Sequence, residues 1–147
     1  MKELFFRDYE KRKGRNKGHN FSYYDYIYHV INDANLSSDI IFAFSELFLP
    51  KFIVVKDYVF LEQNFTEHKL IELEKSTQNV EYWMNLLLID PFFENDPDSD
   101  QKAEFFSKQL LQIWSTKLKN DFPERNIKVE YLFDSDVGDY AITFYDL

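Results

Sequence analysis

Residues 127–145, Ile-Lys-Val-Glu-Tyr-Leu-Phe-Asp-Ser-Asp-Val-Gly-Asp-Tyr-Ala-Ile-Thr-Phe-Tyr, decide the fold class. Ile127, Val129, Tyr131 and Phe133 alternate with Lys128, Glu130 and Leu132, and Tyr140, Ile142 and Phe144 alternate with Ala141, Thr143 and Tyr145. A period of two places each set on one face of a strand. Asp134 to Asp139 forms the polar turn between them, and Gly138 supplies its permissive position. Upstream, Phe52-Ile-Val-Val and Tyr58-Val-Phe-Leu flank the two-residue break Lys56-Asp57, which predicts a second hairpin whose turn lacks glycine.

The remaining apolar spacing is helical. Ser22 with Asp25 three residues on is a capping signal for a helix carrying Tyr24, Ile27, Tyr28 and Ile31. A second helix is expected from about Asp39 to Phe48, capped by Ser37 or Ser38 and stopped by Pro50. Thr66 caps a short helix with Leu70, Ile71 and Leu73; another starts at Asn79 and runs through Trp83, Leu86 and Leu87 until Pro91. The longest covers about 101–119, where Ala103, Phe106, Leu110, Leu111, Ile113, Trp114 and Leu118 make a broad apolar face. About five helices and two hairpins predict a single α+β domain over 21–147, with helices packed on a small antiparallel sheet.

Charge divides the chain differently. Residues 1–20 hold seven Lys and Arg against three acids, net +4; residues 21–147 hold ten against twenty-three, net −13, which together make the chain's −9. Residues 10–18 contain two glycines and no apolar residue, so 1–20 is expected to be a flexible basic arm. Sixteen Phe and ten Tyr, all but Phe5, Phe6 and Tyr9 in the acidic body, supply ample core. With no Cys, thiol nucleophiles, thiolate metal sites and disulfides are excluded.

Leu4, Phe5 and Phe6 run straight into Arg7, Asp8 and Glu10, so no secretory leader is expected. The apolar runs Ile40 to Phe44 and Leu86 to Ile89 are too short to span a bilayer. The expectation is a cytoplasmic protein without a membrane partner.

No catalytic pattern is present in the sequence. Asp96-Pro-Asp98-Ser-Asp100, between Glu94 and Glu104, invites a calcium reading, but a loop starting at Asp96 has Gln101 where glycine is needed and Ser107 where a bidentate Glu is needed. These acids are expected to cap the long helix and match its positive end. Asp134, Asp136 and Asp139 read as hairpin-turn residues. His19, His29 and His68 lack metal-ligand spacing; His29 lies one turn from Asp25 and Asp33, the spacing of an oriented general base and equally of a surface ion-pair row. Among the aromatics, Tyr24 and Tyr28 are expected in the core and Tyr23 and Tyr26 partly exposed. No cofactor, metal site or enzymatic activity is expected.

The stretch Phe44-Ser-Glu-Leu-Phe-Leu-Pro50-Lys-Phe52-Ile-Val-Val, with Val59-Phe-Leu61, Val80-Glu-Tyr-Trp83-Met-Asn85 and Asp90-Pro-Phe92, resembles a group of small uncharacterised bacterial proteins. The resemblance brings no activity and no catalytic residue. In size, acidity and lack of Cys the chain also looks like the immunity proteins of contact-dependent growth inhibition. That resemblance implies a basic protein partner, in particular a toxin domain, with nucleic acid repelled by the acidic body. The residues expected to meet the partner are Asp90, Glu94, Asp96, Asp98, Asp100, Asp134, Asp136 and Asp139. Two other readings stand beside it: a cytoplasmic domain acidic for solubility alone, and, ranked lowest, a metal-dependent hydrolase built on His29 and scattered carboxylates. The oligomeric state is not set by the sequence.

Overall fold

The computed structural model describes residues 5–18, 20–135 and 138–147; Leu4, His19 and Asp136 lie outside the described residues. The fold is α+β, with two separate antiparallel sheets, and the chain divides into two compact units, Met1–Phe44 and Ser45–Leu147. The division therefore falls well beyond residue 20.

The first unit holds a helix within the segment expected to be a flexible arm. Residues Arg7–Arg15 form helix α1, packed on α2, Tyr23–Asp33. The charge run suits a helix, because Asp8 and Glu10 occupy its first turn and Arg12, Lys13 and Arg15 its last, each sign at the favourable end of the helix dipole. Tyr9 supplies the apolar anchor. Its ring is buried between Phe21 and Tyr23, with centroids 5.8 and 4.5 Å away, and its hydroxyl donates to the Phe21 carbonyl at 2.8 Å. The Arg12 guanidinium adds a bond to Asp33 at 2.7 Å.

Helix α2 starts as expected. The Asp25 amide donates to Ser22 Oγ at 3.1 Å and the Ser22 amide to the Asp25 carboxylate at 2.8 Å, a complete capping box. The side it buries differs from the expectation. Because α1 packs along the Tyr23 and Tyr26 side, Tyr24 and Tyr28 are left 72% and 62% exposed, while Tyr26 is half-buried and donates to Asp8 at 2.8 Å. Helix α3, Asp39–Phe48, begins where Ser37 Oγ accepts the Asp39 amide at 3.2 Å and ends before Pro50.

The second unit holds both hairpins. Strands β1, Phe52–Val55, and β2, Tyr58–Leu61, pair in continuous register from Phe52↔Leu61 to Val55↔Tyr58. Lys56 and Asp57 both adopt positive φ, 51° and 71°, the two-residue turn that matches strand twist and normally selects Asn-Gly. Helices α4, Glu67–Ser76, and α5, Val80–Met84, follow; α5 is shorter than its apolar run suggests. Leu87–Leu88 leaves the helix to become β3, which pairs with β5. A short apolar run fits a buried helix and a strand equally, so the spacing could not separate them. Helix α6, Ser99–Asp121, and the hairpin β4, Ile127–Asp134, with β5, Asp139–Asp146, complete a sheet of order β3-β5-β4.

Helix α6 lies on that sheet. Ala103, Leu110, Trp114 and Leu118 meet Ile142 and Phe144 in one core with Val59, Leu61 and Ile89, and Trp114 Nε1 donates to the Leu47 carbonyl at 2.9 Å. Phe60, Leu70, Val80 and Met84 form a second core beneath α4 and α5.

The two hairpins were expected to share one sheet, and side chains explain why they form two. Between β2 and β5 stand Glu81 and Asn85, one helical turn apart near α5. Glu81 accepts the amides of Val59 at 2.8 Å and Asp146 at 3.1 Å. Asn85, fully buried, accepts the Leu61 amide at 2.8 Å and donates to the carbonyls of Val59 at 3.0 Å and Phe144 at 3.1 Å. The strand edges are thus satisfied by side chains where backbone pairing would otherwise occur. Among the described residues no helix is long and apolar enough to cross a membrane.

Candidate acidic partner-binding face

Two acidic segments far apart in sequence meet where β5 begins. After β3, the Ile89 amide donates to the Tyr140 carbonyl at 2.8 Å, and the Tyr140 amide donates to the Asp90 carboxylate. These bonds hold the short turn Asp90–Phe93 against the base of the C-terminal hairpin. Asp90, Glu94 and Asp139 consequently line one cleft of about 340 Å³ with Leu88, Pro91, Phe93, Asn95 and Ser99.

Other acids lie close by. Burial pushes the Tyr140 phenol above its ordinary value, and the negative charges of Glu104, Asp100 and Asp90 raise it further. Asp134 faces Asp139 across the hairpin end, where the Gly138 amide donates to the Asp134 carbonyl at 2.6 Å and Gly138 takes φ 77°. Glu94, Asp100 and Asp134 are exposed, and Asp90 and Asp139 are half-buried.

Asp96 and Asp98 belong to the start of α6. Asp96 accepts Lys102 Nζ at 2.7 Å and the Asp98 amide at 3.0 Å. Asp98 stands at the N-cap position without a side-chain cap bond, so the capping expected of it falls to Asp96, which holds the turn just before the helix. Asp136 lies outside the described residues.

Apolar side chains near this acidic region were not legible as surface groups. Leu88, Phe92 and Phe133 are each nearly half exposed, at 48%, 47% and 47%. Leu88 lies in the cleft itself, and Phe133 packs on Tyr140 with ring centroids 4.7 Å apart. Nothing in the all-apolar run Leu86 to Ile89 marks Leu88 as the exposed member.

His29 packs edge-on against Phe21, 5.0 Å between ring centroids. The carboxylates one turn away have other structural tasks: Asp25 closes the capping box and Asp33 accepts Arg12. Among the described residues no three His, Asp or Glu side chains are grouped to hold a metal ion.

Comparison with protein-family models, with curated proteins and with solved structures finds no match for this chain.

Proposed function

We propose that the second unit is a protein-binding module that engages a basic protein surface through the acidic cleft. In its most concrete form the chain is an immunity protein that covers the active surface of a basic toxin domain. The observation that carries this reading is the convergence of Asp90 and Glu94 with Asp139 around exposed Leu88. Apolar anchors ringed by charge suit a protein partner, since a desolvated centre holds the complex while the charged rim selects and steers. Residues 45–147 hold ten Lys and Arg against twenty Asp and Glu, so the long-range field also favours a basic partner.

The test is calorimetric titration against the basic domain of any toxin encoded beside this gene, repeated over a salt series. Support would be tight 1:1 binding that weakens as salt rises and weakens again in the Glu94→Gln, Asp139→Asn double variant. Binding indifferent to both carboxylates, or no binding to any such domain, overturns the reading.

A further inference from the structure

We propose that the outer edge of β4 pairs with the same edge of a second copy of this chain, joining two three-stranded sheets into one of six strands. The Leu147 amide donates to the Asn126 carbonyl at 3.0 Å, so in the register Ile127↔Asp146 the even-numbered residues of β4 are those that bond β5. The amides and carbonyls of Ile127, Val129, Tyr131 and Phe133 therefore point away from β5, and no hydrogen bond engages them among the described residues. On β5 the complementary edge is covered: Ile89 and Asp90 bond the Tyr140 carbonyl and amide, β3 pairs with Ile142, Asn85 bonds the Phe144 carbonyl and Glu81 the Asp146 amide.

The other edges are guarded. β1 is four residues long between exposed Lys51 and Lys56, and β3 has only two residues. β4 has eight residues, continuous register, no proline and no glycine. Its one lysine, Lys128, is balanced by Glu130 at 3.1 Å. Length, regularity and charge balance are the properties that edge protection ordinarily removes.

The sequence of the edge is complementary to itself. Antiparallel pairing about a two-fold axis at Val129 places Val129 opposite Val129 of the second copy and Ile127 opposite Tyr131, both in the hydrogen-bonding phase. Lys128 then faces Glu130 of the second copy, and Glu130 faces its Lys128. Opposite charges thus meet at both symmetric positions, and β-branched and aromatic residues meet between and beside them.

Sedimentation of the full chain over a concentration series tests this directly. A dimer is expected. Lys128→Glu and Glu130→Lys should each weaken it roughly tenfold, and the double reversal should restore it. Val129→Pro should also weaken it, because that amide is not used by the β4–β5 ladder. Melting curves establish that each variant is folded. Because the chain has no native Cys, oxidation of a mixture of the Lys128→Cys and Glu130→Cys variants reads the register independently. A mixed disulfide, favoured over either self-linked product, is expected. A chain monomeric at every concentration, a dimer unmoved by both reversals and by the proline, or preferential self-linking of Glu130→Cys would each overturn the pairing. None of these outcomes bears on the acidic cleft.

Discussion

The Asn85 side chain donates to the Phe144 carbonyl at 3.1 Å across fifty-nine residues of sequence, while its oxygen accepts from Leu61. One buried amide thereby serves two strands that do not pair with each other. Asn85→Ala leaves the Leu61 amide and the Val59 and Phe144 carbonyls without their partner in a dry site, and should cost about 3–5 kcal/mol in urea unfolding. A loss below about 1 kcal/mol would show that water replaces the side chain.

Tyr26 gives the first unit a pH limit. Burial, and then the bond it donates to Asp8, push its phenol from 10.0 up to about 12. The folded value exceeds the unfolded one, so this contribution is complete below pH 10 and is lost as pH rises through about 12. Asp8 is held below 3.8, first by the Tyr26 hydroxyl and then by Arg12, so its contribution is present above that value and lost as pH falls through the depressed one. The stability gap between wild type and Tyr26→Phe, followed by helicity during thermal melting, should be flat at neutral pH and close at both extremes.

The β1–β2 turn holds Lys56 and Asp57 in a conformation that favours Asn and Gly. Arg125 braces it, bonding the Asp57 carbonyl at 2.7 Å and carboxylate at 2.8 Å. The Lys56→Asn, Asp57→Gly double variant keeps the carbonyl bond and relieves the backbone, and should raise stability by about 1 kcal/mol, seen as a higher Tm.

Folding and partner binding separate within the acidic cleft. Glu94→Gln with Asp139→Asn should change stability by no more than about 0.5 kcal/mol. Asp90→Ala strips the Tyr140 amide of its acceptor and should cost about 1–3 kcal/mol. Equal losses from both variants would mean that the cleft acids are mainly structural.

These particulars explain what the sequence could convey. The Ser22–Asp25 cap, the Thr66 cap and both hairpins depend on local chemistry and were legible. Helix α1 was not, because a basic run with glycines hides how well its charges suit a helix dipole once Tyr9 finds Phe21. That omission also misplaced Tyr24 and Tyr28, which are exposed rather than in the core, since the face a helix buries depends on its partner. The two acidic segments were visible as segments; their meeting depends on β3 pairing with β5, which an unbroken apolar run does not announce. Glu81 and Asn85 look in sequence like the polar side of a short helix and carry no sign of bridging two sheets.

That bridge also governs how the second unit opens. The amides of Val59, Leu61 and Asp146 are shielded by Glu81 and Asn85 rather than by a neighbouring strand. Their exchange with deuterated solvent is therefore gated by α5, a helix of five residues, and not by separation of either hairpin. The amides of Val59 and Leu61 on β2 and of Asp146 on β5 should exchange at one common rate, faster than the ladder between β4 and β5, marking the seam as the place where the second unit first comes apart.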